Sequence, residues 1–425
     1  MIALYTILMS IVLAVVYPVA LAGKFLGWTY LWERLHCPSN IPRDDTDRIW
    51  IHAASVGEAG IAFSMACEIK KKFPGTHIFI STITTTGLES VLRLNETHGG
   101  NMVKSAFLAP FDHPLITGKF VRKIKPDSLI LVETELWPWL IQSMCRKNIP
   151  VTVINGKLSK RAFRRYMIIR GGIGKITGKI SLFCVQSRTF AKRYGMLGVP
   201  QKRLEIIGNV KFDGLPEPSD YDAGQIRSEF GIPEKARVFV AGSTRPGEEE
   251  VLAGSFLDVL AEFPDAVMML TPRHLNRVSE VEKVLKDAGL QYVKRSTGEK
   301  MANTVKKVLI LDTMGELIRA FVCADAAFVG GSLSDFGGHN PLEPAALGIP
   351  VLFGPYMEQT GSKELLSDGA AVLVHDRDEI TKTINSIFKD SEKSSRMADA
   401  GPAVVKRFKG TLARTLQCME NRHLI

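Results

Sequence analysis

Residues Phe328–Pro355, FVGGSLSDFGGHNPLEPAALGIPVLFGP, set glycines, hydroxyls, a histidine and a carboxylate where an apolar strand gives way to a helix. The strand ends in Gly330, Gly331 and Ser332, and a loop follows with Gly337, Gly338 and His339. Asn340 suits an N-cap and Pro341 the first helical position, with Gly348 and Pro350 closing the helix. Unpaired backbone N–H groups and the positive end of the helix dipole at such a point favour phosphate. Glu343, three residues past the cap, is placed to reach a ribose, so one reading of the segment is nucleotide binding. The other is a capping device in which Glu343 bonds back to the cap.

The rest of the chain supplies the elements that position such a loop. Short apolar strands alternate with helical patterns, which implies parallel sheets with helices on both faces. Strands are expected at Ile49–Ala53, His77–Ser81, Leu129–Val132, Val151–Ile154 and Leu182–Val185, then at Val238–Ala241, Val267–Leu270, Val308–Leu311, Ala326–Val329 and Val351–Phe353. Helices are expected between them, as at Ala59–Phe73 and Leu136–Lys147. Asp213–Asp222 (DGLPEPSDYD) has two prolines, turn signals and no apolar periodicity, and reads as a linker between two doubly wound domains. Ala403–Arg422 reads as a basic helix placed to pack back on the first domain.

Ligands of open parallel sheets bind beyond the carboxyl ends of the strands. In the first half those ends deliver Ser55, Gly57 and Glu58, then Glu133 and Glu135, then Asn209, Lys211 and Asp213. In the second half they deliver Ser243, Thr244 and Arg245, then Pro272, Arg273 and His274, then Asp312, Met314, Gly315 and Glu316. Each group singly is an ordinary loop or cap, and Glu58 alone reads as a first-turn glutamate suited to the helix dipole. Their gathering at one edge of both domains implies a cleft between the domains that binds a polar substrate.

The first 23 residues carry no charge and are long enough to cross a bilayer as a helix. Ala20-Leu21-Ala22 resembles a signal-peptidase site, but no basic residue precedes the apolar run; Lys24, Arg34, Arg43 and Arg48 all follow it. That asymmetry favours a retained anchor with the main body in the cytoplasm. Between Leu136 and Leu204 there are fifteen Lys and Arg and no Asp or Glu, against a whole-chain net charge of +10. Residues 157–179 interleave these cations with Phe163, Tyr166, Met167, Ile168 and Ile169, a mixture suited to an anionic lipid surface. A solvated basic face is the plainer reading. Nucleic acid is disfavoured because no nucleic-acid-binding motif accompanies the charge. The six cysteines are scattered singly, which indicates neither a zinc site nor a disulfide framework.

Five motifs, in order, carry a resemblance: His52-Ala-Ala-Ser-Val-Gly-Glu58, Glu133-Thr-Glu-Leu-Trp-Pro138, Gly208-Asn-Val-Lys-Phe-Asp213, Asp312-Thr-Met-Gly-Glu316 and Gly337-Gly-His-Asn-Pro-Leu-Glu343. Together they resemble the 3-deoxy-D-manno-octulosonic acid (Kdo) transferases of lipid A assembly, over nearly the whole chain. Two positions depart from that pattern: Trp139, where Asn is expected, and Arg245-Pro246, where His-Glu is commoner.

The resemblance implies an α/β protein of GT-B type, with two doubly wound Rossmann-like domains, an interdomain cleft and an N-terminal anchor helix. Residues 1–23 would be the anchor, 24–212 the acceptor-binding domain, 213–222 the linker, 223–400 the nucleotide-sugar domain and 401–425 the returning helix. It implies inverting, metal-independent transfer of Kdo from CMP-Kdo to a lipid A precursor, without a cofactor, on the cytoplasmic side of the inner membrane. Glu58 would be the general base, and Glu133 and Lys211 transition-state residues. Pro272, Arg273, Met314, Gly315, Glu316, Asn340, Pro341, Leu342 and Glu343 would contact CMP. Rival readings are a UDP-sugar glycosyltransferase of the same fold, a sugar-nucleotide epimerase, and a non-catalytic membrane-bound nucleotide or lipid sensor. A dehydrogenase is disfavoured because no GxGxxG follows the first strand.

Overall fold

A computed structural model describes residues 2–39, 41–42, 44–299, 301 and 307–425. The chain forms two compact units, Met1–Asp213 with Gly410–Ile425, and Gly214–Lys409. Each is built on a seven-stranded, wholly parallel sheet.

The first sheet contains β1 (Arg48–Ala53), β2 (His77–Thr82), β3 (Ser105–Leu108), β4 (Ser128–Val132), β5 (Val151–Gly156), β6 (Leu182–Val185) and β7 (Leu204–Ile206), in the order β3-β2-β1-β4-β5-β6-β7. The second contains β8 (Val238–Thr244), β9 (Val267–Pro272), β10 (Tyr292–Lys294), β11 (Val308–Ile310), β12 (Ala326–Val329), β13 (Val351–Phe353) and β14 (Ala371–Leu373), in the order β10-β11-β9-β8-β12-β13-β14. All ten strands expected from sequence are present. The four that sequence reading missed, β3, β7, β10 and β14, are the four sheet edges. They are only three or four residues long; Ser105, Glu205 and Lys294 interrupt the apolar pattern of β3, β7 and β10, while β14 is apolar but only three residues long.

Helices cover both faces of each sheet, so alternate strand residues feed separate cores. In the first unit Trp50, Phe79, Leu131 and Val153 enter one core, and Ile51, Ile80, Ile130 and Ile154 the other. In the second, Phe239, Met268 and Phe328 lie on one face and Val240, Met269 and Ala327 on the other. Each of the larger side chains among them, fully buried, contributes roughly 1.5–3 kcal/mol. The sheet order reverses direction between β1 and β4 and between β8 and β12, opening a crevice outside the strand ends at each point.

Three expectations are revised. The boundary at 400/401 falls inside the helix Ser391–Phe408 of the second unit, and the crossing comes at Lys409–Gly410, where Gly410 has φ +78°. Ala403–Arg422 is therefore two helices. Asp213 receives the N–H groups of Thr411 (2.9 Å) and Leu412 (2.7 Å), and Leu416 and Met419 of Thr411–Glu420 enter the first unit's core. In the basic segment, Phe163, Tyr166 and Met167 turn inward against that unit's core, leaving Ile168 (84% exposed) and Ile169 outside among the cations. The helical spacing of Lys160–Ile168 separates the two faces.

The N-terminal helix Ile2–Phe25 turns one stripe to the first unit. Tyr5 donates to Asp112 (2.9 Å), the Trp139 indole N–H donates to Thr6 (3.1 Å), Ser10 lies 3.1 Å from His113, and Leu13 and Val16 pack on the core. Leu4, Ile7, Leu8, Ile11, Val15 and Val19 form an exposed apolar stripe opposite. Trp139 thus fastens this helix to the body. Of the cations that follow the apolar run, Arg34 and Arg48 donate to backbone carbonyls within the unit, and Arg43 lies outside the described residues.

Candidate functional site

In the first unit, β1 ends at Ala53 and Ser55 caps the helix Val56–Lys72, its hydroxyl facing the Glu58 N–H at 3.4 Å. The Glu58 side chain folds back, and its Oε2 receives the Ala54 N–H at 2.7 Å. Burial raises the Glu58 pKa to about 7; the nearby Glu135 and Glu133 push the same way, and the Ala54 bond opposes them. A carboxyl poised near neutrality suits a general base. Beside it Ala59 and Ile61 are buried, while Val56 faces solvent.

Across the switch point β4 ends at Val132, and Glu133 takes the left-handed conformation (φ +61°), rare without glycine. Its carboxylate lies 3.4 Å from the Asn155 amide nitrogen and 3.9 Å from Lys157 Nζ. Glu135 is held differently: it accepts the Trp137 indole N–H at 2.7 Å, and burial raises its pKa. Both glutamates act electrostatically on Glu58, so the structure gathers three carboxyl groups beside this switch point.

Sequence reading missed Asn155. It too is left-handed (φ +52°), is 1% exposed, and its Oδ1 accepts the Val210 N–H at 3.0 Å. Val210 opens the turn carrying Lys211, whose own N–H donates to Asn209. One buried amide therefore joins the end of β4 to the Lys211 turn. The Asn-Gly pair at 155–156 was a visible turn signal, but its partners are distant in sequence. His52 is fully buried, and desolvation lowers its pKa to about 3, with Arg34 adding to the effect; it is neutral and its ring meets Trp137 edge-on at 5.5 Å.

In the second unit, β8 runs to Thr244 through a bulge at Ser243 (φ +58°), longer than expected, and delivers Arg245 beside β12's turn. The N–H groups of the Gly330–Ser332 turn are all taken within the fold. The Gly330 N–H bonds to Gly242 O (2.8 Å). Glu248, with no exposure, receives the N–H groups of Gly331 (2.8 Å), Ser332 (2.9 Å), Leu333 (3.0 Å) and Arg245 (2.9 Å). Sequence reading missed Glu248 because it lies 83 residues from Gly331.

The helix start is also corrected. It spans only Leu342–Ala346, with Pro341 before it instead of inside it, so its dipole is short. Asn340 Oδ1 accepts the Leu342 N–H at 3.1 Å, and Asn340 Nδ2 donates to Glu343 at 3.1 Å. Glu343 thus bonds the side chain of Asn340, which precedes the Pro341 cap. Burial raises its pKa, while the Asn340 bond and the charge of Arg273 oppose the shift. Arg273 follows Pro272, the last residue of β9, and its N–H donates to Thr244 O at 3.1 Å. Met314 is 83% exposed, Gly315 has φ +85°, and Glu316 is engaged by Arg295 (3.1 Å) and Thr313.

Residues 29–214 match the family model described as 3-deoxy-D-manno-octulosonic-acid transferase (kdotransferase). The chain is 33% identical to the 3-deoxy-D-manno-octulosonic acid transferase of Haemophilus influenzae over 88% of its own length and 86% of that protein's. It is 29% identical to the enzyme of the same name from Chlamydophila psittaci, covering 92% and 88%. Among solved structures, a Rickettsia africae glycosyltransferase superposes with a TM-score of 0.59 at 12% identity, over 89% of this chain and 99% of that one, a likeness of fold. The chain belongs to the Kdo transferase family and is a glycosyltransferase of GT-B type.

Proposed function

We propose that this enzyme transfers Kdo from CMP-Kdo to a lipid A precursor, with inversion and without a metal, in lipopolysaccharide assembly at the cytoplasmic face of the inner membrane. The observation that carries the reading is the Glu58 carboxyl at the β1/β4 switch point, raised to about 7 by burial and by two neighbouring glutamates. Its ionised form takes the proton of the acceptor hydroxyl as that oxygen attacks the sugar's anomeric carbon. CMP departs with the bonding pair, and its phosphate charge is met by cations. Lys211 and Arg273 fill that role, and Glu133 stabilises positive charge developing on the sugar. Pro272, Met314–Glu316 and Asn340–Glu343 hold the nucleotide. This assignment rests on the family motifs at those positions.

The membrane features serve the acceptor. The Ile2–Phe25 helix, long and apolar enough to cross a bilayer, is the N-terminal membrane segment, and its exposed apolar stripe meets lipid. The cations of residues 157–179 attract the acceptor's phosphates and the anionic leaflet.

The test is a transfer assay on the full chain in detergent, with CMP-Kdo, a tetra-acylated lipid A precursor and a chelator. Product from the wild type and little from Glu58→Gln supports the reading. No transfer from CMP-Kdo, with transfer from a UDP-sugar, replaces it. Equal activity in both proteins removes Glu58 as base.

A further inference from the structure

Arg245 has a cation's chemistry and no anion to match it. Among the described residues no carboxylate pairs with its side chain. Its Nη1 lies 2.9 Å from His274 Nε2, its guanidinium sits 5.2 Å from the centre of the Phe336 ring, and its Nε is buried without a hydrogen bond. Its backbone N–H is fixed by Glu248 at 2.9 Å, so the side chain leaves β8 at a set point.

Two neighbours also carry side-chain groups that the described residues leave unpaired. Arg273, on the adjoining strand end, is tied by its backbone to Thr244 O and makes no ion pair among the described residues. His339 follows the loop whose backbone closes on Gly330 and Gly331, and its Nε2 is buried and unpartnered. His339 is also kept neutral: burial first, then the charges of Arg273 and Arg245, lower its pKa to about 4. The glycine turn beneath these groups has no N–H donor left for a ligand, since Glu248 and Gly242 take those of Gly330 to Leu333. An anion bound here finds its charge partners in the guanidinium groups, not in the backbone of Gly330–Leu333.

The donor proposed above carries two anions, the phosphate of CMP and the carboxylate of the octulosonic acid. We infer that Arg245 binds the carboxylate of the transferred sugar and thereby selects an acidic sugar, while Arg273 serves the phosphate. A planar guanidinium presents donors that match a carboxylate's oxygens, and with Nε buried and Nη1 beside His274 it is the Nη end that can meet them. The inference rests on the CMP-Kdo reading, and the experiment separates the two.

The full-length enzyme in detergent is assayed for transfer from CMP-Kdo and titrated calorimetrically with CMP, which lacks the carboxylate. In Arg245→Gln, kcat/KM for CMP-Kdo falls about 10- to 100-fold while the CMP dissociation constant stays within about twofold. Arg245→Lys, which keeps the charge but not the fork, loses less, and Arg273→Gln weakens CMP itself. Thermal unfolding checks that each variant is folded, and the lysine variant carries the test if the glutamine variant is not. Parallel losses for CMP and CMP-Kdo overturn the assignment by making Arg245 a phosphate ligand. Unchanged kcat/KM in Arg245→Gln overturns it outright. A wild type that binds UDP instead of CMP and does not use CMP-Kdo defeats the donor reading and this inference together; normal wild-type use of CMP-Kdo with an indifferent Arg245 defeats the inference alone.

Discussion

The amide nitrogen of Asn155 stands 3.4 Å from Glu133 Oε1, while the same side chain's oxygen accepts the Val210 N–H at 3.0 Å. Glu133 and the Lys211 turn thus share one buried anchor, though 78 residues separate Glu133 from Lys211. Both Glu133 and Asn155 take left-handed backbone angles to make the contact, and strain of this kind gathers at functional sites.

Asn155→Asp keeps the shape and the Val210 bond but replaces a donor to Glu133 with a repelling charge. The expected loss in kcat at neutral pH is about 10- to 100-fold, the range for a hydrogen bond to a charged group. Once protonated, the introduced carboxyl donates again, so the ratio of variant to wild-type kcat should climb as pH falls. A ratio flat with pH would show that the donor to Glu133 is immaterial.

Glu58→Gln separates catalysis from stability. The Glu58 pKa is raised in the folded state, so the fold favours the protonated form. That preference is fully present below the ordinary carboxylate pKa and lost as pH rises through about 7. Glutamine mimics the neutral form and still accepts the Ala54 N–H. Its melting temperature should exceed the wild type's at about pH 8 and converge with it at about pH 4. Wild-type kcat should rise with pH through about 7. Melting curves that stay parallel across that range would contradict the burial argument.

Gly330→Ala tests the turn under Arg245. A Cβ there would stand 2.4 Å from Ser243 O and 2.7 Å from Thr244 Cα, both backbone atoms that cannot swing aside. The substitution should cost about 1–3 kcal/mol in denaturant unfolding. CMP affinity should fall with it, because the same shift displaces the neighbouring strand end that carries Arg273. Unchanged stability would mean that β8 and β12 approach less closely than described.

Neutralising Arg161, Arg164 and Arg165 together should weaken use of the lipid acceptor and leave CMP affinity unchanged. These three are exposed on the outward face of Lys160–Ile168, whose apolar face is spent on the first unit's core. Raised salt should reproduce part of the loss. An equal fall in CMP binding would sink the acceptor role.

Sequence was most informative where a residue's neighbours are local. Ten strands were legible because strands buried on both faces are nearly continuous apolar runs. The four edge strands were not, because they pair on one side only and are short, and all but β14 carry a polar residue. Asn340 and Glu343 were legible as a pair, though the helix begins one residue later than their spacing suggested. Glu58 could be located, but its pKa could not, since that depends on burial and on Glu133 and Glu135, more than 70 residues away.

By itself the sequence determined the two-sheet α/β architecture, the apolar first helix, the basic segment and the family. These depend on composition, periodicity and short motifs. Only the tertiary structure decided what those residues face. It set Glu58 and Glu133 on opposite sides of one switch point and spent the Gly331–Leu333 N–H groups on Glu248. It also turned Phe163, Tyr166 and Met167 inward and left Arg245 without a carboxylate partner among the described residues. A linear pattern does not encode strand order, and strand order determines which distant groups meet: buried N–H donors find a carboxylate, and apolar side chains find the core.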